Sequence, residues 1–337
     1  MIVDEIYKQT LKNVLENGIP TNDKPCRAKW ADTNENAYTY KLFGVVNRYD
    51  LSKEFPIPTL RPIPLKNCID ELFWIWQKKS NKVTDLKSHI WDAWAGEDKT
   101  IGKAYGYQVR EKLRKVHTSL RKLKELNIRI VYTNAIQTLQ NNFYPILVDK
   151  ILEDEKNKES KFLDTSDCML FNIDDECDYY LDQTDYMLYE LQANPYSRRI
   201  IGNLFDVCDL DEMNLEPCCY SITFNVSGNK LNMILNQRSA DLVTAGFWNV
   251  FQYAILLKLF AIHCGYEAGE LVHVIADAHI YDRHIDIAKE LIYRPSYNGA
   301  TLKINPDKTN FYDFTIDDFE IENYRHNEQI KNIIVAV

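Results

Sequence analysis

The sequence predicts an α+β fold: a mixed, mainly antiparallel sheet covered by helices, in one large domain over 1–337, with a charged, helical insertion at 111–180. Three observations point there. Strand-like and helix-like stretches are interspersed without the βαβ rhythm of a parallel sheet. The stretch 220–239 reads as a hairpin, with aromatic and β-branched residues in "YSITFNV", a turn in "SGNK" and a returning strand in "LNMILNQRS". The stretch 246–270, "GFWNVFQYAILLKLFAIHCGYEAGE", holds a long, nearly all-apolar helix, and such a helix belongs in a core.

Taken in order, residues 2–17 predict an amphipathic helix with Ile6, Leu11, Val14 and Leu15 on one face and Gly18 as its stop. "AYTYKLFGVV" (37–46) predicts a strand, and "LKNCIDELFWIWQKKS" (65–80) a helix buried on one side. The region 88–110 is loop-rich and carries Trp91, Trp94, Tyr105 and Tyr107. From 111 the character changes. The basic "REKLRKVHTSLRKLKEL" reads as helical and is followed by the acidic "ILEDEKNKES" and "NIDDECDYY". A solvated arm of complementary charge accounts for this more simply than a nucleic-acid site, because charge runs usually face water. "ELVHVIADAHIYDRH" (270–284) opens as a strand.

The 337 residues leave ample length for a sizeable core, and 45% hydrophobic with 26% charged content is ordinary for a soluble globular chain. A net charge of −9 provides no global positive field for nucleic acid or an anionic membrane, so an anionic substrate needs local arginines. There is no membrane-length apolar run and no signal-peptide pattern at "MIVDEIYKQT". Eight cysteines without a CxxC pair predict reduced thiols in a cytoplasmic setting. No metal is expected, since His279 and His284 lack cysteine partners at ligand spacing. Neither GxGxxG nor a P-loop occurs.

Four segments become informative together: "NPYSRRIIGNLF" (194–205), "LEPCCY" (215–220), "NQRSADLVTAGFWNVFQYA" (236–254) and "DAHIYDRH" (277–284). With "DELFWIW", "IWDAWA", "GKAYGYQ" and the ending "FYDFTIDDFEIENY…VAV", their order and spacing closely resembles the thymidylate synthase family over about 26–110 and 181–337. The resemblance implies a homodimer that converts dUMP and 5,10-methylenetetrahydrofolate to dTMP and dihydrofolate. The folate, a co-substrate, donates both the carbon and the hydride.

The resemblance also assigns residues. Cys218 matches the nucleophile that adds to C6 of uracil, a role for which a thiolate suits when nearby positive charge lowers its pKa. Taken alone, a cysteine there would more readily be an inert buried thiol. Arg27, Arg198, Arg199, Arg238 and Ser239 match the phosphate ligands, where arginine's forked donors serve better than lysine, and Gln237 joins them on dUMP. In the family the Arg198–Arg199 pair reaches across the dimer interface. Asn249 matches the amide that accepts from uracil N3–H and donates to O4, although an asparagine there also suits a helix cap. His279 and Tyr281 share a strand face and match ribose contacts; a lone histidine is more often a satisfied core residue.

Glu71 matches a proton-relaying carboxylate, and an acid among Leu72, Phe73 and Trp74 is costly unless hydrogen-bonded or functional. Tyr105 matches a tyrosine beside the nucleophile. Trp91, Leu215 and Asp241 match folate contacts, with Asp241 also in the catalytic set, and Val337 matches the residue whose carboxylate helps close the tail. Two departures stand out: Cys219 where many members have histidine, and Phe247-Trp248 where Pro-Phe is usual. They leave open a dUMP hydroxymethylase on the same scaffold, in which water rather than hydride traps the methylene. A nucleotide- or RNA-binding protein without turnover is the alternative of another class.

Overall fold

The computed structural model describes residues 1–133, 174 and 176–336. In chain order the helices are α1 (Ile2–Asn17), α2 (Leu65–Trp76), α3 (Gly106–Glu111), α4 (Leu120–Glu125), α5 (Gln183–Ala193), α6 (Trp248–Cys264) and α7 (Ile285–Tyr293). The strands are β1 (Ile19–Pro20), β2 (Thr39–Asp50), β3 (Arg114–Ser119), β4 (Tyr132–Thr133), β5 (Glu176–Leu181), β6 (Ile201–Asn203), β7 (Cys219–Ser227), β8 (Lys230–Asp241), β9 (Glu267–Tyr281), β10 (Thr301–Ile304) and β11 (Phe319–Glu322).

The main sheet has the order β1-β2-β9-β8-β7-β6. Its neighbours pair antiparallel except β8 and β9, which run parallel. That exception has a local cause. Helix α6 leaves the end of β8 and carries the chain back to the sheet, making a single βαβ crossover. The α+β reading therefore holds, with one parallel pair inside a mainly antiparallel sheet. Helix α6 is apolar nearly all round and buries Phe251, Ile255, Leu259 and Phe260 among its core residues, while Gly265 closes it at φ 75°. Both α6 and α1 pack on the face of the sheet to which Leu271, His273 and Ile275 point. Helix α1 spans the predicted 2–17, whereas α2 stops at Trp76, before Lys79 turns the backbone to φ 55°.

The basic stretch at 110–126 differs from its expected helix. It is split into the end of α3, the strand β3 and the short α4. The alternating Val116 and Thr118 point inward, and β3 pairs with β5 in a three-stranded sheet of order β3-β5-β4. Long-range pairing with "ECDYYL" outweighs the local helical preference of the lysines and arginines. Beside this sheet, the buried Lys79 ammonium donates to Asp182, to Asp185 at 2.8 Å and to the Tyr312 hydroxyl at 2.7 Å. Burial and the charge of Asp185 push the Asp182 carboxyl up, while Lys79 opposes them.

Candidate active site

The two adjacent cysteines lie on opposite sides of the chain as it enters β7. Cys219 is buried, paired with Gln237 of β8, and its thiol is pushed well up by burial. Cys218 is half-buried, and two contacts fix its backbone: its N–H donates to the Tyr105 hydroxyl at 3.2 Å, and its carbonyl accepts from the Arg238 N–H at 2.8 Å. The Arg238 guanidinium clasps the preceding turn, with Nη2 donating to the Glu216 carbonyl at 2.8 Å and Nε to the Pro217 carbonyl at 3.1 Å. Burial pushes the Cys218 thiol up, while Arg238 and then Arg27 pull it down. Burial thus disfavours the thiolate, and the two arginines are the charges that favour it.

From Tyr105 a run of aromatic contacts leads to Glu71. Tyr105, at φ 47° and fully enclosed, meets the Trp91 ring edge-on at 4.9 Å. The Trp91 Nε1–H donates to Glu71 Oε1 at 2.6 Å. The other carboxylate oxygen accepts from the Trp248 indole and from Gln252 Nε2, the latter at 2.8 Å. Burial still raises the Glu71 pKa, because three N–H donors do not fully replace water around a carboxylate. The departure at Trp248 is therefore absorbed as a donor to this acid, and Phe247 packs on Tyr7 with ring centroids 4.0 Å apart. Trp248 and Gln252 lie one helical turn apart on α6, and that spacing is the sequence signal that could tie both to one acid.

Asn249, on the first turn of α6, has its Oδ1 accepting from Gln237 Nε2 at 3.1 Å. Gln237 is buried behind it, and its Oε1 faces His273 Nε2 at 2.7 Å. His273 lies on the same face of β9 as His279 and Tyr281, and that parity is its sequence signal. His279 and Tyr281 approach each other edge-on at 5.1 Å, and His279 Nδ1 lies 2.8 Å from Asp277. Burial and the Asp241 charge push the Tyr281 hydroxyl up to about 12, with Arg27 opposing. Asp241 is held in its own turn, accepting from the Val243 N–H at 3.0 Å, the Thr244 N–H at 3.1 Å and the Thr244 hydroxyl. Ser239 offers its carbonyl to Gln237 Nε2 at 2.9 Å, and Leu215 is half-buried against the core beside the Cys218 loop.

Four predicted residues stand apart from this cluster. Arg198 and Arg199 are exposed in the loop before β6. Ile200 bonds Phe224, six residues along β7 from Cys218, so the pair lies roughly 20 Å from the thiol of its own chain. Arg27 sits on an exposed loop, within electrostatic reach of both Cys218 and Tyr281. Val337 lies outside the described residues, although the tail reaches the cleft side, where Ala336 bridges Trp30. Among the described residues no group of three or more His, Cys, Asp or Glu side chains is placed to hold a metal, and no helix is long and apolar enough to cross a membrane.

A family model described as thymidylate synthase matches residues 5–336. A thymidylate synthase of Bacillus subtilis subsp. natto is 35% identical over 330 residues, covering 97% of this chain and 96% of the relative. A thymidylate synthase of Bacillus phage phi3T is 34% identical over the same length and shares. The solved structure of a thermostable thymidylate synthase A from Bacillus subtilis superposes with a TM-score of 0.76 at 34% identity, covering 99% of each chain. These matches run through 111–180, the segment that the motifs alone leave uncovered.

Proposed function

Because the chain belongs to the thymidylate synthase family, a class of methyltransferases, we propose a specific division of labour among the residues of its cleft for turning dUMP into dTMP. Cys218 is the nucleophile. Its addition to C6 of the uracil ring makes C5 electron-rich enough to accept a carbon. Methylenetetrahydrofolate, the family's general co-substrate, would supply that carbon and the hydride. The observation that supports this reading is the linked line Cys218–Tyr105–Trp91–Glu71: a nucleophile at one end and, at the other, a buried acid whose pKa burial raises, which favours its protonated form.

The remaining roles are those that the family resemblance implies. Asn249 presents an oxygen and an amide nitrogen to the uracil edge. His279 and Tyr281 face the ribose from β9, and Arg238, Arg27 and Ser239 surround the phosphate end. Trp91, Leu215 and Asp241 form the folate side, with the tail ending in Val337 as the cover that keeps water from the reactive methylene.

The phosphate assignment calls for a homodimer. Arg198 and Arg199 are too far from their own Cys218 to share its substrate, so a second copy would have to bring them. The sheet offers a surface for it. On the face away from the helices, Val46, Val272, Val274, Ile234 and Ile201 form a cross-strand apolar band, with Val46 53% exposed and Ile234 and Ile201 each 41%.

Turnover with dUMP and methylenetetrahydrofolate tests the reading. Dihydrofolate and dTMP are expected. Release of tetrahydrofolate with 5-hydroxymethyl-dUMP would replace it with the hydroxymethylase, and no nucleotide turnover would leave a binding protein.

A further inference from the structure

We propose that His273 is a positioning residue for base selection: by donating from Nε2 to Gln237, it acts with the Ser239 carbonyl to hold the orientation of the Asn249 amide so that the site accepts uracil and refuses cytosine. This rests on the proposed reading of the base by Asn249.

The direction of each hydrogen bond follows from a group that has no choice. The Ser239 carbonyl can only accept, so the end of the Gln237 side chain lying 2.9 Å from it must be the nitrogen. The same nitrogen lies 3.1 Å from Asn249, whose facing atom is then the oxygen. The other end of Gln237 is its oxygen, 2.7 Å from His273 Nε2, so that nitrogen must carry the proton. The histidine closes the chain. It is 2% exposed, and burial pushes its pKa down to about 4, so it is neutral and has one N–H to give. Its other nitrogen, Nδ1, is buried without a hydrogen-bond partner among the described residues, and the residue borders a cavity of about 10 Å³ together with Thr10, Asn47 and Tyr49. A bare Nδ1 is the complement of a protonated Nε2.

The consequence reaches the substrate. With Asn249 Oδ1 held as an acceptor, its second lone pair meets the N3–H of uracil and its amide nitrogen meets O4. Cytosine brings a lone pair at N3 and an amino group at position 4, so both contacts become mismatched. If His273 presented a lone pair instead, only the Ser239 carbonyl would still hold Gln237 in this sense, and an end-for-end turn, which Asn249 would follow, would forfeit one contact rather than two. The cleft would then offer the pattern that cytosine wants. The strand face that carries the ribose contacts His279 and Tyr281 thus also carries, three alternate steps inward, the group that sets the base.

Two measurements test this. On the wild-type protein, nitrogen NMR of labelled histidine should show His273 as the neutral tautomer with hydrogen on Nε2; hydrogen on Nδ1 overturns the proposal without any variant. For His273→Phe, the ratio of kcat/KM for dUMP over dCMP should fall by about tenfold, the value of one lost hydrogen bond on a buried amide, and His273→Gln, which keeps a donor, should restore part of it. A general loosening of the core would lower both substrates together and leave the ratio unmoved, and that result also overturns the proposal. Should the wild-type enzyme itself fail to prefer dUMP, the fault lies with base reading by Asn249, not with His273.

Discussion

Along β9, Leu271, His273 and Ile275 point toward the helices and are buried, whereas Val272, Val274 and Ala276 point away and remain open. One strand therefore serves two surroundings, residue by residue. The inner face meets α1 and α6, and its polar members are locked into hydrogen bonds with known direction. The outer face carries an apolar band with no covering element among the described residues. Because side chains alternate with a period of two, the proposed chemistry and the proposed association would be separated by one residue rather than by distance along the chain. Substitutions on the inner side should change what a site does, and those on the outer side should change whether the site is complete.

The sharpest way to break that separation uses neighbours. Cys218→Ser should lower turnover by at least about a thousandfold while nucleotide binding persists, since in the proposed mechanism this residue makes the covalent bond. Cys219→Val, one residue inward, should keep turnover, because a small apolar group replaces a buried thiol. Covalent trapping by 5-fluoro-dUMP with folate reads both. Loss of trapping in the Cys219 variant with retention in the Cys218 variant would reverse the two roles.

Asn249→Asp comes next in size. Mispairing the buried edge of the base should weaken dUMP turnover by roughly 1–3 kcal/mol and improve dCMP relative to it. Equal catalytic-efficiency ratios in the variant and wild type would remove Asn249 from base recognition.

The outer face is tested by assembly. Ile234→Asp should shift sedimentation toward a monomer and lower activity with it, since a charge would be buried against a second copy. Mixing offers the complementary experiment. If each site takes Cys218 from one chain and Arg199 from the other, inactive Cys218→Ala and Arg199→Ala chains, unfolded and reassembled in equal amounts, should recover about a quarter of wild-type activity, because half the dimers are mixed and each has one sound site. No recovery above the parents would place both residues in one chain's site.

A further effect is a pH dependence of stability. His273 has its folded pKa depressed from 6.5 to about 4, so the unfolded chain binds the proton more readily between those values. Its contribution is present in full above about pH 6.5 and is lost as pH falls toward 4, up to about 3 kcal/mol. Denaturant melts of the wild type and His273→Phe across that range should converge as the pH falls. Parallel curves would mean that the histidine is not buried neutral.

Much of this architecture is legible in the order of the amino acids. Helix α1, the hairpin β7–β8 and the apolar α6 announce themselves because each is governed by a local period and a turn. The resemblance to thymidylate synthases identifies the family because several motifs occur in a fixed order. What stays hidden depends on contacts between distant segments. The lysines and arginines of 110–126 favour a helix, yet β3 forms because its partner β5 lies some sixty residues later. Glu71 can be suspected as a buried acid, but its donors Trp91, Trp248 and Gln252 come from distant stretches of chain. The Gln237–His273 contact joins β8 to β9 across a crossover, and no spacing rule links them.

The small sheet bears on how this enzyme can be altered. Thr133 pairs with Tyr179, and β5 begins at Glu176, three positions along the same ladder, so the chain departs and returns within roughly 10 Å. The body of the protein therefore asks only that a segment's two ends meet that gap. By loop-closure entropy, doubling the length of a flexible connector costs only about 0.6 kcal/mol. The position between Thr133 and Glu176 is thus a natural graft point, where a reporter, an affinity handle or a whole folded cargo could be spliced while the main sheet keeps its register.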